Sequence, residues 1–138
     1  MSEQTLQKTK QRPVYRNIGM GDLSNYRLPI IGVASIVHRI TGVALFVGMI
    51  LLLPMLQMSL KSESGFEACR TIVWGNWIAK IVLIGLLFAV IYHLIAGVRH
   101  MIQDANKWLD LASARSSATA VFFASVVVTA LVVWRLVA

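Results

Sequence analysis

His93 lies in the middle of an apolar run, Ile81 to Val98, that has the length and character of a membrane-crossing helix. An ionisable imidazole at that depth costs free energy unless something binds it, which makes it a candidate functional group. Ala89 and Gly97 stand four residues to either side, and Gly85 lies one further turn away. On a helix these small residues stack along the same face as the imidazole. A histidine framed by residues with almost no side chain leaves a flat slot of the shape a porphyrin plane needs, and imidazole is an axial ligand of haem iron. The same small residues would equally let a neighbouring helix approach closely, so packing is the competing reading.

A second group lies on an earlier apolar run. Ser35, His38, Arg39 and Gly42 recur at helical spacing and share one face. If that helix enters the bilayer near Ile30, Arg39 lies roughly 13 Å along its axis, deep enough to be costly even with snorkelling. A guanidinium with a serine one turn before it can bind an anionic or carbonyl-bearing ligand. Its alternative role is to fix helix depth by pairing with lipid headgroups. His93 stands about eight residues from the end of its own helix near Met101, so antiparallel packing would bring His38 and His93 to comparable depth. Arg99 and His100 sit nearer the same end. Three histidines and two arginines would thus converge in one half of the membrane, with imidazole for iron and arginine for propionates. An electron-transfer anchor binding haem and quinone fits this set. So does a small transporter or proton-relay subunit in which His38, Arg39 and His93 pass protons. The slot around His93 favours haem, and a relay would more naturally carry intramembrane acidic residues, which these apolar runs lack. A purely structural anchor is the third reading.

The elements that must position these residues follow from composition. The chain of 138 residues is 57% hydrophobic and only 14% charged, against about 25% charged in soluble domains, and its mean hydropathy is +0.71. Three nearly charge-free segments are each long enough to cross a hydrocarbon core of ~30 Å. They predict transmembrane helices over about 29–57, 74–101 and 117–137, an all-α, up-down-up bundle forming one membrane domain over 29–138. Residues 1–28 form a polar leader in which Asp22 to Asn25 can cap a short amphipathic turn. The first apolar segment starts too late and runs too far for a signal peptide. Ser59 to Glu67 reads as a short polar loop, and the single cysteine, Cys69, as an incidental loop residue that excludes internal disulfides and multi-cysteine clusters.

The net charge of +7 has a membrane explanation rather than a nucleic-acid one. Lys8, Lys10, Arg12, Arg16 and Arg27 crowd the leader, and Arg99, Lys107 and Arg115 flank the second loop. By the positive-inside rule these face the cytoplasm, with the first loop and the C-terminus opposite. Trp74, Trp77 and Trp134 suit an aromatic belt on that far side.

At these residues the sequence resembles a known family. Ser35-Ile-Val-His-Arg-Ile-Thr-Gly42 is similar to the Ser-x-x-His-Arg-x-[Ser/Thr]-Gly motif of the cytochrome b subunit of succinate dehydrogenase. Tyr92-His-Leu-Ile-Ala-Gly-Val-Arg-His-Met-Ile-Gln-Asp104 resembles that family's His-x-x-x-Gly-x-Arg-His-x-x-x-Asp signature, and Arg12-Pro13 and Gly65-Phe-Glu67 match in order. Two departures stand out: Val14 to Tyr26 lacks the Ser-Pro-His that often follows Arg-Pro, and Gln103 stands where an aromatic or methionine is usual. The resemblance implies the larger of two membrane anchors of respiratory complex II, in the bacterial cytoplasmic membrane. It would not be catalytic alone, because succinate oxidation occurs in a flavoprotein and electrons pass through an iron–sulfur protein to quinone. Its partners would be those two subunits and a second three-helix anchor. It further implies that His93 is an axial ligand of a haem b shared with the second anchor. Ser35 and Arg39 would help form the quinone site, and His38 and Arg39 would contact the haem propionates.

Overall fold

The computed structural model describes Gly19, Gly21 and residues 26–105 and 110–138. The amphipathic turn expected at Asp22 to Asn25 lies outside the described residues, as do the basic leader residues up to Arg16 and Lys107. Every regular element among the described residues is a helix, and all but the first begin at a side chain that caps them. Helix α1 (Ile30–Lys61) follows Pro29, whose extended backbone turns its carbonyl toward Val33 N at 3.1 Å. Ser62 then breaks the chain with extended backbone (φ −161°, ψ 158°), and its hydroxyl accepts from Gly65 N at 3.1 Å to open α2 (Glu63–Gly75). Asn76 plays the same part for α3 (Trp77–Ala105), accepting from Ile78 N at 2.9 Å. Asp110 opens α4 (Leu111–Val137) by accepting from Ser113 N at 2.9 Å. Hydrogen bonding to the Ser113 side chain and backbone holds the Asp110 carboxyl below its ordinary pKa, outside the apolar span.

Three of these helices, α1, α3 and α4, are long and apolar enough to cross a membrane. They differ from the sequence reading at their ends. The first runs to Lys61 rather than 57, the second covers 77–105 rather than 74–101, and the third starts at Leu111 rather than 117. The caps explain the differences: Ser62, Asn76 and Asp110 fix boundaries that hydropathy alone places several residues away. The expected polar loop at Ser59 to Glu67 is corrected too. Only Ser62 leaves the helical path there, and the turn is so tight that a Cβ on Gly65 would collide with the Met58 carbonyl. Cys69 is correspondingly not a loop residue; it is buried on α2, its thiol donating to Met55 O at 3.4 Å.

The packing is inside out relative to a soluble bundle. Buried positions are small or hydroxylated: Ala34, Thr41, Ala89, Ala96, Ala118, Ser125 and Thr129. Val43, Phe46, Ile50, Leu94 and Phe123 face outward. Small residues let helix backbones approach where apolar surroundings supply no hydrophobic drive. Ser125 and Thr129 satisfy their hydroxyls on the carbonyls of Val121 and Ser125, both at 2.7 Å. Tyr92 and Arg99 are the large exceptions, and Tyr92 is the more deeply set. Tyr92 is fully buried, its ring packs on Phe88 and Phe122, and its hydroxyl donates to Ala34 O at 3.1 Å. That one side chain ties α3 to both α1 and α4 at the level of His93. Along α1 and α3, close contacts pair rising numbers with falling ones (His38 with Gly97, Gly42 with His93, Gly48 with Leu86), so the two helices run in opposite senses past the histidines.

Candidate functional site

His38 on α1 and His93 on α3 meet face to face, with ring centroids 4.0 Å apart and planes 15° from parallel. The helices can approach this closely because each ring lies over a glycine of the other helix. A Cβ on Gly42 would stand 3.0 Å from His93 Cε1, and a Cβ on Gly97 would stand 3.6 Å from His38 Nε2. The two helices therefore carry the same device, a histidine four residues before a glycine, in reciprocal register: His38 with Gly42, His93 with Gly97. The slot read around His93 has a different composition from the expected one. Gly97 gives its space to His38, whereas Gly85 has no atom near its would-be Cβ and lines an apolar groove toward Phe88 and Thr129.

The polar atoms around the pair are specific. His93 Nδ1 lies 3.1 Å from the His38 carbonyl oxygen and 3.3 Å from Thr41 Oγ1. Thr41 Oγ1 donates to the same carbonyl at 2.8 Å. A carbonyl can only accept, so the proton of a neutral His93 resides on Nδ1 and the lone pair on Nε2. Metal-binding histidines characteristically hold their other ring nitrogen in this way. The donor set accordingly fits a haem iron: one imidazole with a fixed tautomer and a free in-plane lone pair. A porphyrin does not fit between His38 and His93, because stacked rings 4.0 Å apart direct their lone pairs side by side rather than toward a shared centre. Among the described residues no set of three or more His, Cys, Asp or Glu side chains is arranged to hold a metal ion.

His38 Nε2 is buried and meets no hydrogen-bond partner among the described residues. His100 completes the cluster from α3, its ring 5.0 Å from His38 and tilted by 54°. The three histidines thus come together as their spacing predicts. The two arginines do not. Arg39 is exposed on α1, one turn beyond the partly buried Ser35, and neither side chain bonds another protein group among the described residues. Arg99 turns away to α4, where Nε donates to Ser117 Oγ and Nη2 to Ala114 O, both at 3.0 Å; it is 7% exposed. Thr41 and Tyr92 are the residues that reading for ionisable groups passes over. Their signal is a hydroxyl beside a histidine in an otherwise apolar helix, which requires an internal partner.

A family model described as succinate dehydrogenase/fumarate reductase transmembrane subunit matches residues 8–132. The chain is 39% identical over 109 residues to the succinate dehydrogenase cytochrome b556 subunit of Paracoccus denitrificans, covering 79% of this chain and 83% of that one. It is 33% identical over 117 residues to the subunit of the same description from Coxiella burnetii, covering 82% and 93%. The mitochondrial succinate dehydrogenase cytochrome b560 subunit of Sus scrofa is 31% identical over 102 residues, 73% of this chain and 60% of that one. Three apolar spans and bacterial relatives of this kind make it a multi-pass protein of the bacterial inner membrane. Matched over most of its length, from the leader to the third span, the chain belongs to the family of succinate dehydrogenase/fumarate reductase transmembrane subunits, as a membrane anchor of complex II that works with partner subunits.

Proposed function

We propose that this chain holds a haem b jointly with a second membrane anchor and forms part of a quinone site, so that electrons from succinate reach quinone at the membrane. The observation that carries the reading is the seat of His93: Nδ1 is committed to the His38 carbonyl at 3.1 Å, which presents Nε2 as a ligand. The relatives' description as cytochromes b supports it. A bound haem b supplies one-electron storage between the donor and quinone. His93 would hold its iron through Nε2. The His38–His93 stack favours a second iron-holding residue from another chain over His38. Arg39, exposed and without a protein partner among the described residues, holds a propionate together with His38 and stabilises negative charge on a reduced quinone. Ser35, one turn earlier, donates a hydrogen bond to a quinone carbonyl.

In the membrane the three spans run up-down-up with the N-terminus cytoplasmic, residues 1–28 forming the leader and 29–138 the membrane domain. The basic leader and second loop support this orientation. Besides the second anchor, the partners are an iron–sulfur subunit and a flavoprotein, with lipid around the outward apolar faces. The relay alternative draws on the contact of His38 with both His93 and His100, but those rings stack or tilt rather than hydrogen-bond.

The deciding experiment is the optical spectrum of the purified complex. His93→Ala is expected to abolish or severely perturb a low-spin b-type signal, and His38→Ala to leave it low-spin. An unchanged spectrum in His93→Ala would sink the ligand assignment. Succinate-independent proton flux in vesicles, lost in both variants, would favour the relay instead.

A further inference from the structure

Thr41 is 6% exposed, sits on α1 one residue before the glycine that seats His93, and has both its hydroxyl functions engaged within one small triangle. Its hydrogen is directed to the His38 carbonyl at 2.8 Å. That commitment leaves a lone pair facing His93 Nδ1 at 3.3 Å, and the same nitrogen stands 3.1 Å from the His38 carbonyl. The Nδ1–H is therefore shared between two oxygens, one from the backbone and one from the Thr41 side chain. If His93 carried the opposite tautomer, its Nδ1 lone pair would face the carbonyl lone pairs without a proton between them. The hydroxyl thus helps choose which ring nitrogen is free and fixes the plane of the ring.

We propose that Thr41 is a positioning residue for His93, its hydroxyl sharing the Nδ1–H and so increasing electron donation from Nε2 to a bound iron. The proposal rests on the haem reading of His93. An acceptor on the distal N–H makes imidazole a stronger donor, which favours the oxidised metal and lowers the reduction potential. Removing the hydroxyl has two opposed effects. It deletes one acceptor of the Nδ1–H, and it releases the His38 carbonyl from a competing donor. The first acts on the proton itself and the second only through a carbonyl that already accepts, so the first prevails. A methyl in place of the hydroxyl at 3.3 Å would also press the ring away from the carbonyl.

Two variants separate the hydroxyl from packing: Thr41→Ser keeps the hydroxyl and loses the methyl, and Thr41→Val does the reverse. The measurement is a redox titration of the b-type absorption in the detergent-purified complex, alongside the low-temperature electron paramagnetic resonance spectrum of the oxidised form. Thr41→Ser is expected to titrate with wild type. Thr41→Val is expected to remain low-spin but titrate at higher potential, its reduced-to-oxidised ratio raised by up to about tenfold where wild type is half reduced. Thr41→Val titrating with wild type, or both variants shifting equally, overturns the proposal. If Thr41→Val does not assemble with its partners, Thr41→Ala, which cannot crowd Nδ1, takes its place with the same two outcomes. A wild-type complex without a low-spin b-type signal, or one whose signal survives His93→Ala unchanged, brings down the haem reading itself and this proposal with it.

Discussion

A single hydrogen atom at position 42 sets how closely His93 can approach α1. A Cβ there would meet His93 Cε1 at 3.0 Å, closer than ordinary packing, and the ring cannot retreat without stretching its bond to the His38 carbonyl. At Gly97 the corresponding distance to His38 Nε2 is 3.6 Å, an ordinary contact. Alanine is better than glycine in a helix by about 1 kcal/mol, whereas overpacking costs about 1–3 kcal/mol. Gly42→Ala should therefore lower the thermal stability of the complex by about 1 kcal/mol and disturb the low-spin spectrum, while Gly97→Ala should leave both unchanged or slightly improve stability. Equal effects in the two variants would show that the glycines do not seat the imidazoles. Much of this site was legible in the residues alone. The four-residue spacing of His38 to Gly42 and of His93 to Gly97 is enough to place small and ionisable groups on matching faces of two helices. What spacing could not supply is which neighbour a face meets. Arg99 is offset from His93 by six residues, between the α1 and α4 sides of its helix, and only packing decides that it turns toward Ser117.

At the level of helices, α3 is held from both sides by side-chain bonds to backbone carbonyls, Tyr92 to Ala34 and Arg99 to Ala114. The Arg99 clamp is unusual because a buried guanidinium is answered by neutral oxygens, with no carboxylate bonded to it among the described residues. Neutral partners leave the charge incompletely compensated, so losing one of them should be felt. Ser117→Ala is expected to destabilise α3–α4 packing by about 1–2 kcal/mol. In an Arg99→Leu background the same substitution should cost little, because no charge remains to be satisfied. The check is a double-mutant cycle on unfolding in mixed micelles; additive effects would mean that the hydrogen bond contributes nothing. Hydropathy made the three long helices plain and left α2 unseen. That helix is short and polar on one side, and its start depends on Ser62, whose role becomes visible only when the hydroxyl is found on Gly65 N. Caps act through single hydrogen bonds, whereas hydropathy averages over a whole turn or more, so boundaries are where the sequence reading drifts.

For the whole molecule, the distribution of polar groups indicates how the subunit works within an assembly. The histidine rings meet between α1 and α3, with His93 bonded to the α1 backbone, whereas Arg39 is exposed on α1 beside the outward apolar residues Ile40 and Val43. A guanidinium on an apolar span is costly unless something answers it. In a subunit that works with partners, a ligand or group at their junction is the natural answer. If that ligand is quinone with a haem propionate nearby, Arg39 acts late in electron flow, after succinate has already been oxidised elsewhere in the complex. Arg39→Leu should then reduce succinate-dependent quinone reduction by tenfold or more, consistent with the loss of about 1.4 kcal/mol or more of charge stabilisation. Succinate oxidation by a soluble artificial acceptor, which withdraws electrons before the membrane, should be retained in the same preparation. The ratio of the two activities is the informative quantity, because it cancels differences in expression. Equal loss of both would assign Arg39 to assembly, with its charge pairing to a partner subunit or to lipid headgroups. Arg39→Lys distinguishes these roles further: a point charge can still pair with a headgroup, but it lacks the planar fork that grips a carboxylate. Quinone reduction failing in both variants while assembly survives in Arg39→Lys would place the guanidinium at the ligand.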